Sequence, residues 1–138
     1  MPEGIPYAGS NVVAGAGLEL NYIGRHCYAY SGGKGSTDAS VTYLEFTSGN
    51  FMAMTELTVN GAVEFSGPTT GLTTAWKLEM NGIVIGVYKT ETNEEDMPGT
   101  LVIPLLIPPY TAIKVTALVS STNSDFLNSC SIIGKLYK

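Results

Sequence analysis

The sequence has little charge, and its basic residues are few. Of its 138 residues only 14% are Asp, Glu, Lys or Arg, whereas an ordinary soluble domain has about 25%. Seven residues are basic and twelve are acidic, which gives a net charge of −5. Since phosphate binding needs clustered Lys and Arg, and the basic residues here are scattered, the composition predicts that nucleic acid is not a partner.

Histidine and cysteine are scarcer still. There is one histidine, His26, and there are two cysteines, Cys27 and Cys130. They form no CxxC pair and no other spacing typical of metal ligands, so the sequence predicts no metal and no cofactor. Two interpretations of the cysteines stay open: a disulfide, if the first and last strands are neighbours, or two small buried side chains.

Sets of residues that would make an enzyme are missing as well. With one histidine and no Gly-x-Ser-x-Gly elbow, acyl transfer lacks a nucleophile and its base. A glycosidase needs two carboxylates across a cleft, and the candidates are Glu45, Glu56, Glu64 and Glu79. Each occupies an outward position in an alternating strand, where a solvated acid is usual. We therefore predict that the protein is not an enzyme and has no catalytic residues.

The one cluster of charge lies between Thr90 and Gly99. Four carboxylates occur there within six residues, namely Glu91, Glu94, Glu95 and Asp96. The alternating oxygen ligands and central glycine of a dedicated calcium loop are absent, which favours a solvated loop tip. Cation binding by these carboxylates is the alternative.

Long apolar runs are also missing. No stretch reaches the roughly 18 apolar residues that cross a membrane, so the sequence predicts no membrane partner. The N-terminus does not combine a basic start with a long apolar run, as a secretory signal would. Synthesis and folding in a cytoplasm are expected.

Strand alternation is what the sequence does have, and it is clearest from Thr74 to Lys89. Asn81–Gly82 between two alternating runs predicts a hairpin with a type I′ turn. A two-residue loop then places Met80 opposite Ile83, followed by two further apolar pairs on the same face. The six residues predicted to pack inward are Trp76, Leu78, Met80, Ile83, Ile85 and Val87. Trp76 could instead be a sugar-stacking platform, but its position favours the core.

Similar runs follow one another along the rest of the chain, with no helical period. They predict an all-β fold over residues 21–138, an eight-stranded antiparallel jelly-roll sandwich. An immunoglobulin-like sandwich is the alternative, and the cysteine spacing speaks against it. Residues 1–20, rich in Gly, Ala and Pro, are predicted to form an extended N-terminal arm. In the first strand, one face carries Tyr22, His26, Tyr28 and Tyr30.

Several segments together resemble a known group of proteins. They are LNYIGRHCYAYSG (Leu20–Gly32), LEFTSGNF (Leu44–Phe51), MNGI (Met80–Ile83), LLIPPYTAIKV (Leu105–Val115) and the final IIGKLY. From about residue 18 onward the chain resembles small virion proteins of tailed bacteriophages, particularly those of marine phages. The resemblance implies a jelly-roll subunit, a homotrimer, that binds the major capsid protein on the capsid exterior as a decoration or cement protein. It brings no catalytic motif.

Two other functions are compatible with the same residues. One is a receptor- or glycan-binding tip domain of a phage tail fibre or spike, and the other is a cellular C1q-like or carbohydrate-binding module. A fibre tip usually follows a long stalk, and a secreted module usually carries a signal peptide. Because neither is found here, the sequence favours a virion structural protein on the capsid exterior, made in the host cytoplasm.

Overall fold

The computed structural model describes residues 17–35, 40–64, 72–92, 99–120 and 126–137. Every regular element among them is a β-strand, and they contain no helix that could cross a membrane. The strands are β1 (Asn21–Ile23), β2 (His26–Tyr30), β3 (Lys34–Gly35), β4 (Val41–Thr47), β5 (Met52–Glu64), β6 (Leu72–Met80), β7 (Ile83–Thr92), β8 (Thr100–Ile107), β9 (Ala112–Val119) and β10 (Phe126–Tyr137).

The strands form two antiparallel sheets. One sheet has six strands in the order β1-β2-β10-β5-β8, with β3 also paired to β10, and the other has four in the order β4-β9-β6-β7. The predicted sandwich is thus confirmed, although there are ten strands instead of eight. The two additional strands are short. One arises because the predicted first strand is interrupted at Gly24, where φ is +61°, and the other is β3, which has only two residues. Segments of two or three residues are too short for alternation to reveal.

The core lies between the sheets and is built from alternate residues of the long strands. In β9 the alternate residues Ile113, Val115, Ala117 and Val119 are all buried. The largest fully buried side chains include Trp76, Tyr43, Leu44, Leu57, Leu78, Ile107, Ile113 and Ile132. Both sheets contribute to this set, as a two-layer sandwich requires.

The Asn81–Gly82 turn occurs as predicted, but the register beyond it differs. Asn81 and Gly82 have φ of 53° and 82°, and Met80 pairs with Ile83. One residue further along, a β-bulge shifts the ladder, so Leu78 pairs with Gly86 and Trp76 pairs with Tyr88. The predicted pairs of Leu78 with Ile85 and of Trp76 with Val87 are therefore wrong.

The bulge also changes which side chains of β7 reach the core. Trp76 and Leu78 are buried and Met80 is partly buried, as predicted, but Ile83 and Val87 are 67% and 65% exposed. Ile85 is exposed as well. The inner side of β7 is occupied by Tyr88, whose ring lies across Gly86: a Cβ at Gly86 would come within 2.6 Å of that ring. A large aromatic side chain thus fills the space that the prediction assigned to Ile85 and Val87.

Residues 17–20 of the predicted arm belong to the packed domain. Leu20 is buried in the core, and the carbonyl of Gly17 accepts a hydrogen bond from the backbone N–H of Glu45 on β4, at 2.8 Å. A Cβ at Gly17 would meet the carbonyl oxygen of Tyr43, so glycine allows this close approach. The rest of the predicted arm, residues 1–16, lies outside the described residues.

Candidate docking surface

The described part of the chain brings titratable residues together on the four-stranded sheet, where Lys114 lies opposite both Glu45 and Glu79, and Lys77 Nζ is 3.9 Å from Glu79 Oε2. It contains no group of three or more His, Cys, Asp and Glu side chains that could hold a metal ion. His26 lies exposed on the six-stranded sheet, and Glu56 is exposed two strands away. Of the acidic cluster, Glu91 is exposed, whereas Glu94, Glu95 and Asp96 lie outside the described residues. Exposed surfaces are the remaining candidates for a functional site.

The two cysteines are free thiols, which decides between the two interpretations of the sequence. Cys27 on β2 pairs with Gly134 on β10, four residues along that strand from Cys130. Four strand residues span about 13 Å, well beyond the roughly 7 Å between Cα atoms that a disulfide can bridge. Both thiols are buried, and burial raises the pKa of each, which disfavours the reactive thiolate. They act as small core side chains.

Trp76 is a core residue, as predicted, and not a sugar-stacking platform. It is 1% exposed, its ring centroid lies 5.1 Å from that of Tyr43, and its indole Nε1 donates to Thr90 Oγ1 at 3.0 Å. Beside it, the hydroxyl of Thr74 donates to Asn128 Oδ1 at 3.0 Å. Burial raises the pKa of Tyr43 to about 12. These buried polar contacts serve the structure of the core.

The outer face of the six-stranded sheet carries exposed apolar side chains that the strand register brings together. One row across the sheet consists of Tyr28, Ile133, Glu56 and Pro104, from β2, β10, β5 and β8. The next row consists of His26, Lys135, Met54 and Leu106. Ile133, Met54 and Leu106 are each at least half exposed. We call these two rows, with Tyr30, Val102 and Tyr137, the outer face.

A shallow groove of about 640 Å³ crosses the outer face. Its apolar lining includes Met54, Leu106 and Ile133, and the lining residues Glu56 and Lys135 carry one carboxylate and one ammonium group. No described residue forms an ion pair with either group. Exposed apolar patches are typical of surfaces that contact another protein, a membrane or a ligand.

Only part of the predicted aromatic row lies on this face. Tyr28 and Tyr30 do, with ring centroids 5.4 Å apart, and so does His26. Tyr22 does not, because the chain reverses at Gly24 and Tyr22 pairs with the inward-facing Cys27. Its ring packs edge-on against Phe51, with centroids 4.9 Å apart.

The apolar centre of the outer face was not found from the sequence. Strand β10 has the consecutive apolar residues Ile132, which faces the core, and Ile133, which faces outward. Strand β5 likewise has Ala53 in the core and Met54 exposed. Apolar residues on both faces of neighbouring strands are the signal that could have shown the surface. It becomes visible only when the register places these residues side by side.

Comparisons with known proteins give similarity at the level of structure only. No protein-family model matches the chain, and no curated protein matches it. A chain in the crystal structure of the T13 IBDV viral particle matches with a TM-score of 0.40 and 12% identity, over 80% of this chain and 31% of that one. A chain in the structure of the infectious bursal disease virus Gx strain matches with a TM-score of 0.37 and 12% identity, over 78% and 30%. The protein thus spans less than a third of the length of either matched chain.

Proposed function

We propose that the protein is a virion structural protein that binds the outside of a phage capsid and stabilises the shell as a decoration or cement protein. The observation that carries the structural role is the outer face, an exposed and partly apolar sheet surface suited to assembly with other protein subunits. The sequence segments that resemble small phage virion proteins supply the class of partner, the major capsid protein. The place of action is the capsid exterior, after synthesis in the host cytoplasm.

The outer face is assigned to contacts between copies of the chain in a homotrimer. Its groove brings one carboxylate, Glu56, and one ammonium group, Lys135, so identical copies can meet there without net repulsion. Tyr28 and Tyr30 add aromatic area of the kind that is enriched in the centres of interfaces. The sheet surface is then buried by association instead of remaining in water.

Replacing Ile133 with lysine is expected to convert the trimer into monomers, since a charge would be buried among apolar groups. Light scattering coupled to gel filtration would measure the mass. Val84→Lys is the matched control, because Val84 is exposed to a similar degree, 48% against 54%, on the other sheet. That variant should remain trimeric. A wild-type protein that is monomeric at micromolar concentration would contradict the assembly.

Attachment to the capsid is assigned in part to residues 1–16. Gly17, which directly follows residues 1–16 in the sequence, lies beside the edge strand β4. A segment of this composition can add a strand to a sheet edge of a partner, gaining main-chain hydrogen bonds that depend little on side chains.

The function is tested by mixing the purified protein with heads of the phage that encodes it, prepared without the protein. We expect saturable sedimentation with the heads and a higher temperature of head disruption. Deleting residues 1–16 should weaken the binding while leaving Gly17 and its hydrogen bond to Glu45 in place. Full-length protein that ignores heads but adheres to host cells or to a glycan array would replace this proposal with the receptor-binding one.

A further inference from the structure

The connection between β8 and β9 holds an aromatic residue in a conformation that suits glycine better. Tyr110 has a φ of 52°, and in the described part of the chain only one other non-glycine residue, Asn81, has a positive φ. Asparagine tolerates the left-handed region through its short polar side chain, whereas a bulky residue there is a genuine outlier. The turn at Asn81–Gly82 needs that conformation for its geometry. Tyr110 also lies in a turn, directly after Pro109, but glycine or asparagine is the usual residue at such a position, so the choice of tyrosine calls for an explanation.

A network of hydrogen bonds keeps Tyr110 in place. Its own N–H donates to the carbonyl of Gly49 at 2.9 Å. Around it, Ser48 Oγ donates to the carbonyl of Pro108 at 2.7 Å and accepts from the N–H of Thr111 at 2.8 Å. The N–H of Ser48 also donates to the carbonyl of Thr111 at 2.9 Å. The turn is thus fixed from both sides of the strained residue.

The side chain of Tyr110 contributes little to the stability of the fold. Tyr110 is 70% exposed, the largest exposed fraction among the large hydrophobic residues of the described chain. Pro108 and Pro109 beside it are exposed too. A glycine would adopt the same backbone without strain, so stability alone does not account for a tyrosine. Strain that is held in place by its surroundings is a feature of functional positions.

The surroundings of Tyr110 indicate the chemistry of its partner. The exposed residues beside it, Pro108, Pro109 and Ala112, are uncharged, and so is the neighbouring Asn81–Gly82 turn, whose Asn81 bonds Ala112. A projecting tyrosine on a rigid, uncharged turn offers a large contact area with little conformational entropy to lose. Such residues commonly fill apolar pockets near the centre of an interface.

We propose that Tyr110 is an anchor by which the protein docks onto the capsid, its ring entering an uncharged, apolar pocket on the capsid protein. The proposal rests on the proposed function and names one contact residue for it. It is separate from the outer face, which is assigned to contacts between copies. The strained backbone of the turn directs the Tyr110 ring toward the partner.

The test measures stability and binding in the same variants, because the proposal predicts that the two change differently. Tyr110→Gly should unfold at the same temperature as the wild type or a higher one, remain trimeric, and bind heads at least tenfold more weakly. Tyr110→Asn should behave in the same way, since asparagine also accepts the backbone conformation. Tyr110→Phe should keep most of the binding, because the ring is retained.

Leu118→Thr is the control, since Leu118 is an exposed apolar residue roughly 25 Å away along β9. It should bind heads like the wild type. Head binding by Tyr110→Gly that equals the wild type would overturn the anchor while leaving the capsid function intact. A Tyr110→Gly variant that loses binding only in proportion to its loss of stability would also overturn the anchor. A Tyr110→Gly variant that becomes monomeric would overturn it too, because the partner of Tyr110 would then be a second copy of the chain. Wild-type protein that does not bind heads would overturn the proposed function, and the anchor with it.

Discussion

Replacing Trp76 with alanine is expected to lower the free energy of unfolding by about 3–5 kcal/mol, the usual cost of removing a large buried aromatic side chain. Trp76 is 1% exposed and packs between the two sheets against Tyr43. The substitution also leaves the buried Thr90 hydroxyl without the indole N–H that donates to it. The substitution therefore removes apolar burial, leaves an empty volume and leaves a polar group unpaired. Each of these effects lowers the free energy of unfolding.

Urea denaturation followed by circular dichroism would measure the effect. Trp76→Phe is the control, because it keeps a ring beside Tyr43 and loses only the indole N–H and part of the volume. Its stability should lie between those of the wild type and Trp76→Ala. A loss of less than about 1 kcal/mol in Trp76→Ala would contradict the placement of Trp76 in the core, since such small effects are typical of surface substitutions.

The second large effect is expected at Gly134, in the central strand β10 between β2 and β5. A Cβ at this position would lie 2.6 Å from Thr55 Cα and would also meet the carbonyl oxygen of Met54. Both atoms belong to the backbone of β5, so no side-chain rotation relieves the contact. The two strands would have to separate, and we expect Gly134→Ala to cost about 3 kcal/mol, near the upper end for overpacked cores.

Gly33→Ala is a matched control for the added methyl group. A Cβ there would lie 3.5 Å from Leu127 Cδ1, an ordinary contact, and the φ of Gly33 is not positive. Its stability should stay within about 0.5 kcal/mol of the wild type, as for surface substitutions. The midpoints of thermal unfolding, measured on both variants, would make the comparison. If Gly134→Ala were no less stable than Gly33→Ala, the close approach of β10 and β5 would be contradicted.

The strands themselves could be predicted because one face of each long strand is clearly apolar. In β9 the residues Ile113 and Val115 alternate with Lys114 and Thr116, so burial of one face determines the orientation. The Asn81–Gly82 turn was predicted for a local reason, since both of its residues need positive φ. Local geometry and alternation together were enough for the class of fold.

In strand β7, local geometry and alternation were not enough to predict which residues face the core. Its residues Val84, Ile85 and Val87 are apolar whichever face they occupy, so alternation does not say which of them point inward. The choice depends on the bulge and on Tyr88, whose ring takes the core position. The short strand β1 is a similar case, because one reversal at Gly24 moves Tyr22 off the face that carries Tyr28.

By itself, the sequence determined that the chain is all-β, where its main strands lie and that Trp76 belongs to the core, because these features depend on residues close together in the chain. Only the tertiary structure decided that Cys27 and Cys130 lie too far apart to pair, and that Ile133, Met54 and Leu106 meet on one surface. Tyr110 is a further instance, since its strained backbone is held by its own bond to Gly49 and by bonds of Pro108 and Thr111 to Ser48, about sixty residues earlier. These properties depend on which strands are neighbours and in what register, and contacts between residues distant in sequence leave no local pattern to detect.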